Sequence, residues 1–327
     1  MDFYFSHART ALKYGLQALG FEPNSELLLP ALTCDVITHP LAELGIIPKY
    51  YKVLPSLQPD WSQLSSLVNN KTCGLMIIHY FGQPQDLEKS QYFCRIHDIK
   101  LVEDNAHGFG GTFDGRPMGT FGDIGISSPR KSFGWRNGGL LHWNVEAIPT
   151  FPPLPTQPGN VIWKSKTLIK NVLSGIKGCK RFLRKEPDYT SQETGRECPI
   201  PSWGMDPEYI LRVKTKNYEL DLLTTGRRSL WEIWKRWATL NRLSPIYHEL
   251  APGALPLSFP VRTKSAKESQ RWFHWGWEMG LYVHSWPTLP RDILEQDPYT
   301  LDLWRTMVCF PIEPDMTDEQ LINSLRI

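Results

Sequence analysis

Two side chains in this sequence have the types and the placement that carbonyl chemistry needs, Asp104 and Lys131. A short apolar stretch, Leu101 and Val102, ends in Glu103 and Asp104, with His107 three residues after Asp104. Beyond a glycine-dense stretch, a second apolar run from Asp123 to Ile126 ends in Ser127-Ser128-Pro129-Arg130-Lys131. A neutral lysine amine condenses with an aldehyde, and desolvation or a neighbouring cation lowers its pKa towards that state. A carboxylate beside a pyridine nitrogen keeps the ring protonated and ready to accept electrons. A carboxylate just past one strand and a lysine just past the next is therefore what a pyridoxal phosphate (PLP) site requires. In open α/β sheets, ligands gather beyond the carboxyl ends of the strands, where both groups fall. Strand alternation turns only one of Glu103 and Asp104 towards such a ligand.

The elements that must position this pair alternate along the chain. Residues 6–20 have helical spacing in Ala8, Ala11, Leu12, Leu16 and Leu19, with Ser6 as a start cap and Gly20 as a stop. Free N–H groups at such a helix start attract phosphate. Glu26–Leu29 reads as a strand, Asp35–Leu44 as a helix, Ile47–Val53 as a strand and Asp60–Val68 as a helix. Leu75–Tyr80 has the continuous apolar character of a strand buried on both faces. A helix over Asp86–His97 and strands at 101–103, 123–127 and 139–143 complete the pattern. Alternation of this kind predicts a mainly parallel sheet with helices on both faces, an α/β fold. His79, at the end of a buried strand, is expected to be a core histidine with satisfied nitrogens.

Residues 151–205 break the pattern. Thr150–Gly159 is proline-rich and forms a loop or boundary, and residues 162–185 carry eight basic residues and no acid. The simplest reading of 162–185 is a connecting segment with a solvated basic face. A docking surface for a nucleotide diphosphate, or peripheral contact with an anionic membrane, ranks behind it. From Asp206 to Leu240 the chain is strongly helical. Beyond that, Phe259–Val261, Leu281–His284 and Met307–Ile312 look like strands, and Ser265–Met279 and Thr317–Leu325 like helices. The expected organisation is a large domain over 1–150, an irregular basic connection over 151–205, and a helical linker with a smaller α+β domain over 206–327.

Composition narrows the function classes. The 36 Lys and Arg nearly balance the 34 Asp and Glu, which does not suggest a nucleic-acid binder. No apolar stretch approaches the roughly 20 residues of a membrane span, and the start, MDFYFSHART, lacks the apolar run of a signal peptide. Six cysteines (34, 73, 94, 179, 198, 309) contain no C-x-x-C pair, so neither a metal site nor a disulfide framework is expected. Thiols in a reducing cytoplasm fit better.

At VEDNAHGFGG, the Gly-Asp-Ile before the lysine segment, and SPRK followed by NGG, the chain resembles the DegT/StrS group of PLP-dependent nucleotide-sugar aminotransferases. PALTC and HYFGQPQD match further segments of that family in order. The likeness covers residues 1–145 well and is thinner from 206 onward. It implies a large domain of the type I PLP-transferase kind. It implies Lys131 as covalent anchor and proton shuttle, Asp104 as partner of the pyridinium nitrogen, and His107 as a cofactor contact. The turn Ala8-Arg9-Thr10 would hold the phosphate, Cys34 would lie over the ring, and Ser127 or Ser128 would contact the phosphate. Arg130 would face an acidic substrate group or solvent. Many relatives carry glycine where Ala8 stands and an aromatic where Cys34 stands. Of the family's N-Y-R-M segment only Asn217-Tyr218 is present.

The activity that this resemblance implies is transfer of an amino group from an amino acid, by analogy glutamate, to a keto-sugar nucleotide for polysaccharide biosynthesis. The working unit would be a cytoplasmic homodimer. Two rivals stand beside it: a PLP-dependent dehydratase or lyase, against which Lys131 argues because such relatives carry histidine there, and a non-catalytic regulatory relative.

Overall fold

The structure, a computed structural model, describes residues 1–156, 200–201, 203–215, 217–313 and 316–325. The basic segment 162–185 lies outside the described residues, as do the side chains of Asn217 and Tyr218. The chain begins with strand β1 (Asp2–Phe5), helix α1 (Ala8–Ala18), β2 (Glu26–Pro30), α2 (Thr38–Leu44) and β3 (Ile47–Tyr51). It continues with α3 (Trp61–Ser66), β4 (Thr72–Ile78), α4 (Leu87–His97), β5 (Lys100–Asn105) and a small hairpin of β6 (Thr112–Phe113) and β7 (Arg116–Pro117). Then come β8 (Ile124–Ser127), the short α5 (Pro129–Phe133) and β9 (Gly139–Trp143).

Seven of these strands form one sheet in the order β1-β9-β8-β5-β4-β2-β3. Its pairs are parallel except that β9 runs against both neighbours. The apolar runs form strands here because both faces are covered. Leu27, Leu29, Met76 and Val102 pack with Leu12 and Leu16 of α1 on one face. Leu28, Leu75, Ile77 and Leu101 point to the other. There they share a core with Trp286, Leu289, Trp304 and Met307, contributed by the far end of the chain.

That far end comprises α6 (Pro207–Thr215), α7 (Asn217–Leu240), β10 (Ser244–Pro245), β11 (Ser258–Arg262) and α8 (Ala266–Glu278). It closes with α9 (Arg291–Gln296), α10 (Pro298–Arg305), β12 (Met307–Pro311) and α11 (Asp318–Leu325). The strands β10-β11-β12 form an antiparallel sheet. It packs in a second core on Leu230, Trp231, Trp234 and Trp237 of α7.

The expected α/β alternation is present, with two local differences, at Leu281–His284 and before the first helix. The stretch expected to be helical from Asp206 holds α6 and α7, with Lys216 between them outside the described residues. Leu281–His284 is no strand; only a single bridge from His284 to Cys309 forms there. The residues before the first helix form an edge strand, β1, paired with β9 from Asp2–His142 to Phe5–Gly139.

Candidate active site

The parallel register sets the site. Asp104 pairs with Ile126 and Asn105 with Ser127, so the ends of β5 and β8 lie side by side. Lys131 leaves from α5, directly beyond β8, in a helix begun by Pro129 and ended by Gly134 in the left-handed region (φ 68°). At the carboxyl ends of these strands a cavity is lined by Thr33, Cys34, Asp104, His107, Ser128 and Lys131. His7, Ala8 and Arg9 at the start of α1, Arg130 from α5, and Trp286 and Pro287 from the far end of the chain enclose it further. Gly139 allows α1 to approach, since a Cβ there would lie 2.1 Å from the His7 carbonyl carbon.

Glu103 and Asp104 divide as strand alternation requires. Glu103 is 0 % exposed, with His79 Nε2 at 3.0 Å. It accepts backbone N–H bonds from Gly119 (3.0 Å), Phe121 (2.6 Å) and Gly122 (2.6 Å). Burial opposes its ionisation, but the His79 contact and these N–H groups outweigh it and hold the carboxyl below its ordinary pKa. His79 is the core histidine expected: its Nδ1 accepts the Gln85 N–H at 3.1 Å. Glu103 is thus a structural carboxylate.

Asp104 faces the cavity and accepts the Ala106 N–H at 2.8 Å. Burial raises its pKa while the Lys131 charge pulls it back, leaving it above the ordinary value. Lys131 is shifted the other way: burial lowers its pKa, Asp104 opposes, and Arg130 adds to the lowering. Each partner therefore moves towards its neutral form. Cys34 has its thiol pKa raised, chiefly by burial, so it is a small apolar wall and not a nucleophile.

His107 is held well below its ordinary pKa by burial and by the Lys131 charge. Its Nδ1 accepts the Phe81 N–H at 3.3 Å, so the proton of the neutral ring sits on Nε2. Phe81 adopts a left-handed backbone (φ 56°) in making that contact. Positive φ is costly for an aromatic residue and clusters where a site imposes it. The Trp286 ring stands 5.4 Å from His107 at 68°, edge to face.

Two expected phosphate contacts lie elsewhere. Ser127 falls on the opposite side of β8 from Ile126, by the two-residue period. It is 3.2 Å from Asn105 Nδ2 and 3.0 Å from His142 Nε2. Thr10 is 0 % exposed and donates to the Pro201 carbonyl at 2.9 Å. Neither lines the cavity, whereas Ala8, Arg9 and Ser128 do. Ser6 is not the cap of α1. His7 occupies that position without a side-chain cap, and its Nδ1 lies 3.1 Å from Ser6 Oγ. Asn137 is structural, accepting the Asp206 N–H at 3.3 Å. Thr33 and Trp286 were not visible as site residues in the sequence. Thr33 adjoins Cys34 and was within reach of a motif reading, but nothing local marks Trp286.

This is the fold of a PLP-type aminotransferase. The Helicobacter pylori aminotransferase PseC, involved in the biosynthesis of pseudoaminic acid, superposes with a TM-score of 0.72 at 14% identity, over 99% of this chain and 85% of its own. The sequence model of the DegT/DnrJ/EryC1/StrS aminotransferase family matches residues 4–150, and over that segment the resemblance read from the motifs holds. GDP-perosamine synthase of Vibrio cholerae is 28% identical over 146 residues, 44% of this chain and 40% of that protein. A pleiotropic regulatory protein of Geobacillus stearothermophilus is 28% identical over 142 residues, 42% of this chain and 38% of its own. The match thus spans about two fifths of the length of these curated relatives. Among the described residues, no helix is long and apolar enough to cross a membrane.

Proposed function

We propose that the chain is a PLP-dependent aminotransferase that moves an amino group from an amino acid, by analogy glutamate, to the keto group of a sugar nucleotide. The observation that carries this reading is the placement of Asp104 and Lys131 in one cavity at the ends of neighbouring parallel strands. The donor set fits PLP. A lysine biased towards its neutral amine, a buried carboxylate and a neutral imidazole with Nε2–H inside the ring of contacts answer the aldehyde, the ring nitrogen and the phenolic oxygen. Buried polar atoms without partners, Thr33 Oγ1 and the Nε of Arg9 and Arg130, line the same cavity.

When bound, PLP supplies an electron-accepting ring. Lys131 Nζ would hold the cofactor and would serve as the base for the proton at the donor's α-carbon. Asp104 would keep a proton on the ring nitrogen. Trp286, Pro287 and Cys34 exclude water from the cavity around that exchange.

The reading places the enzyme in the cytoplasm as at least a dimer, with the partner completing the acceptor end of the site. A regulatory role draws on the name of the Geobacillus stearothermophilus relative. One experiment separates the two. Incubated with PLP and glutamate but no sugar, a catalyst forms one 2-oxoglutarate per active site. A chain that takes up PLP yet converts no amino acid is not an aminotransferase.

A further inference from the structure

The cavity lining carries four charged side chains: Asp104, Lys131, Arg9 and Arg130. Asp104 and Lys131 offset one another, which leaves two guanidiniums with no acid in the lining. The histidines add no charge near neutrality. Burial and then the two arginines hold His7 down to about 4, and burial holds His107 well below its ordinary value. Burial and then Arg9 also lower Arg130, and no acid counters them. The Nε atoms of both arginines and the Oγ1 of Thr33 are buried without a hydrogen-bond partner, and Thr33 is 0 % exposed. Like charges desolvated together cost free energy unless an anion joins them.

The first turn of α1 lies beside these groups and has no side-chain cap; Thr10 and Ala11 N–H donate to the His7 carbonyl, which leaves the Ala8 and Arg9 N–H groups for an outside acceptor. Of the hydroxyls expected at a phosphate, Thr10 is spent on Pro201 and Ser127 sits beside Asn105 and His142, which leaves Ser128 in the lining.

We infer that Arg9 and Arg130, with the open start of α1 and the Thr33 and Ser128 hydroxyls, form the seat of the cofactor phosphate, a guanidinium pair standing in for the Thr10 and Ser127 hydroxyls. The inference rests on the PLP reading above. A phosphate monoester carries close to two negative charges at neutral pH, which two guanidiniums match. Each guanidinium also offers paired N–H donors suited to phosphate oxygens. The single α-carboxylate of an amino acid would leave one of the two cations uncompensated.

Comparing PLP with pyridoxal, which lacks the phosphate, tests this directly. Binding to the full chain is followed by quenching of tryptophan fluorescence. Arg9→Gln and Arg130→Gln should each weaken PLP about 10- to 100-fold while pyridoxal changes by less than about 2-fold. Inorganic phosphate should raise the melting temperature of the unliganded chain but not that of the double variant. Equal losses for PLP and pyridoxal would assign the arginines to packing and overturn the inference. Unchanged PLP binding in both variants would overturn it as well, and would hand the pair to another anion. If the unaltered chain binds both compounds equally well, the phosphate seat is wrong and the PLP reading survives. If it binds neither, both fall.

Discussion

Glu103 and Asp104 are neighbours in sequence that face opposite sides of one sheet. Glu103 is closed in by His79 and three backbone N–H donors, and Asp104 opens onto the cavity that holds Lys131. The two carboxylates therefore answer differently to the same substitution. Glu103→Gln should cost about 2–3 kcal/mol of stability, since charge-assisted bonds to buried donors are lost. Asp104→Asn should leave the melting temperature nearly unchanged, keep PLP, and lower amino-acid conversion by about 100-fold or more, as an amide cannot hold the ring nitrogen protonated. Thermal unfolding and single-turnover conversion separate the pair. Exchanged phenotypes would reverse the assignment.

Lys131 should be the residue that borohydride fixes to PLP. Peptide mapping after reduction places the pyridoxyl group on the segment containing Lys131, and Lys131→Ala removes it without unfolding the chain. A label on another lysine would contradict the proposal.

The rate of that capture should rise with pH. Capture needs the neutral amine, and burial lowers the folded-state pKa of Lys131 below the ordinary 10.5. The rise should therefore come at lower pH than for N-acetyl-lysine under the same conditions. A coincident profile would mean that the amine is solvated.

His7 gives the unliganded protein a second pH signature. Its folded-state pKa is lowered to about 4, first by burial and then by Arg130 and Arg9, from the ordinary 6.5. The unfolded chain therefore takes up this proton first as pH falls. Stability is lost between about 6.5 and about 4 and is fully present above that window. Denaturant midpoints across this range should fall for the parent chain and flatten for His7→Gln.

Much of the fold was legible because its signals are local. Runs such as Leu27–Leu29 and Leu75–Ile78 are buried on both faces, and a continuous apolar run between turns is hard to read otherwise. The Asp104–Lys131 pair was legible for the same reason, since each lies at a strand end. The helix that carries Lys131 was not, because five residues are too few for a 3.6-residue period to show. Hydroxyl orientation also escaped. Ser127 and Ser128 are adjacent serines, and only the register of β8 decides that Ser128 meets the cavity. Trp286 lay beyond any local pattern, because what places it is packing against strands from the other end of the chain.

Replacing Trp286 should accordingly have two effects. Trp286→Ala opens a hole in the core and should cost about 3–5 kcal/mol. Trp286→Phe keeps most of that volume but removes the unpartnered Nε1–H at the cavity wall. It should weaken PLP with little change in the melting temperature, and equal effects of both changes on binding and stability would limit Trp286 to a packing role.

The double membership of Trp286, in the core beneath the sheet and in the cavity wall, couples two events that are distant in the chain. Its core neighbours Leu28, Leu75 and Leu101 stand roughly 190 to 260 residues upstream, so the wall closes only after very long-range contacts of the fold have formed. A chain whose C-terminal helices have come loose has no closed cavity, however well its parallel sheet is made. Ligand capture and docking of the C-terminal end are then one equilibrium. Whatever loosens Trp286 releases the ligand, and a ligand bound in the cavity holds the two ends of the protein together.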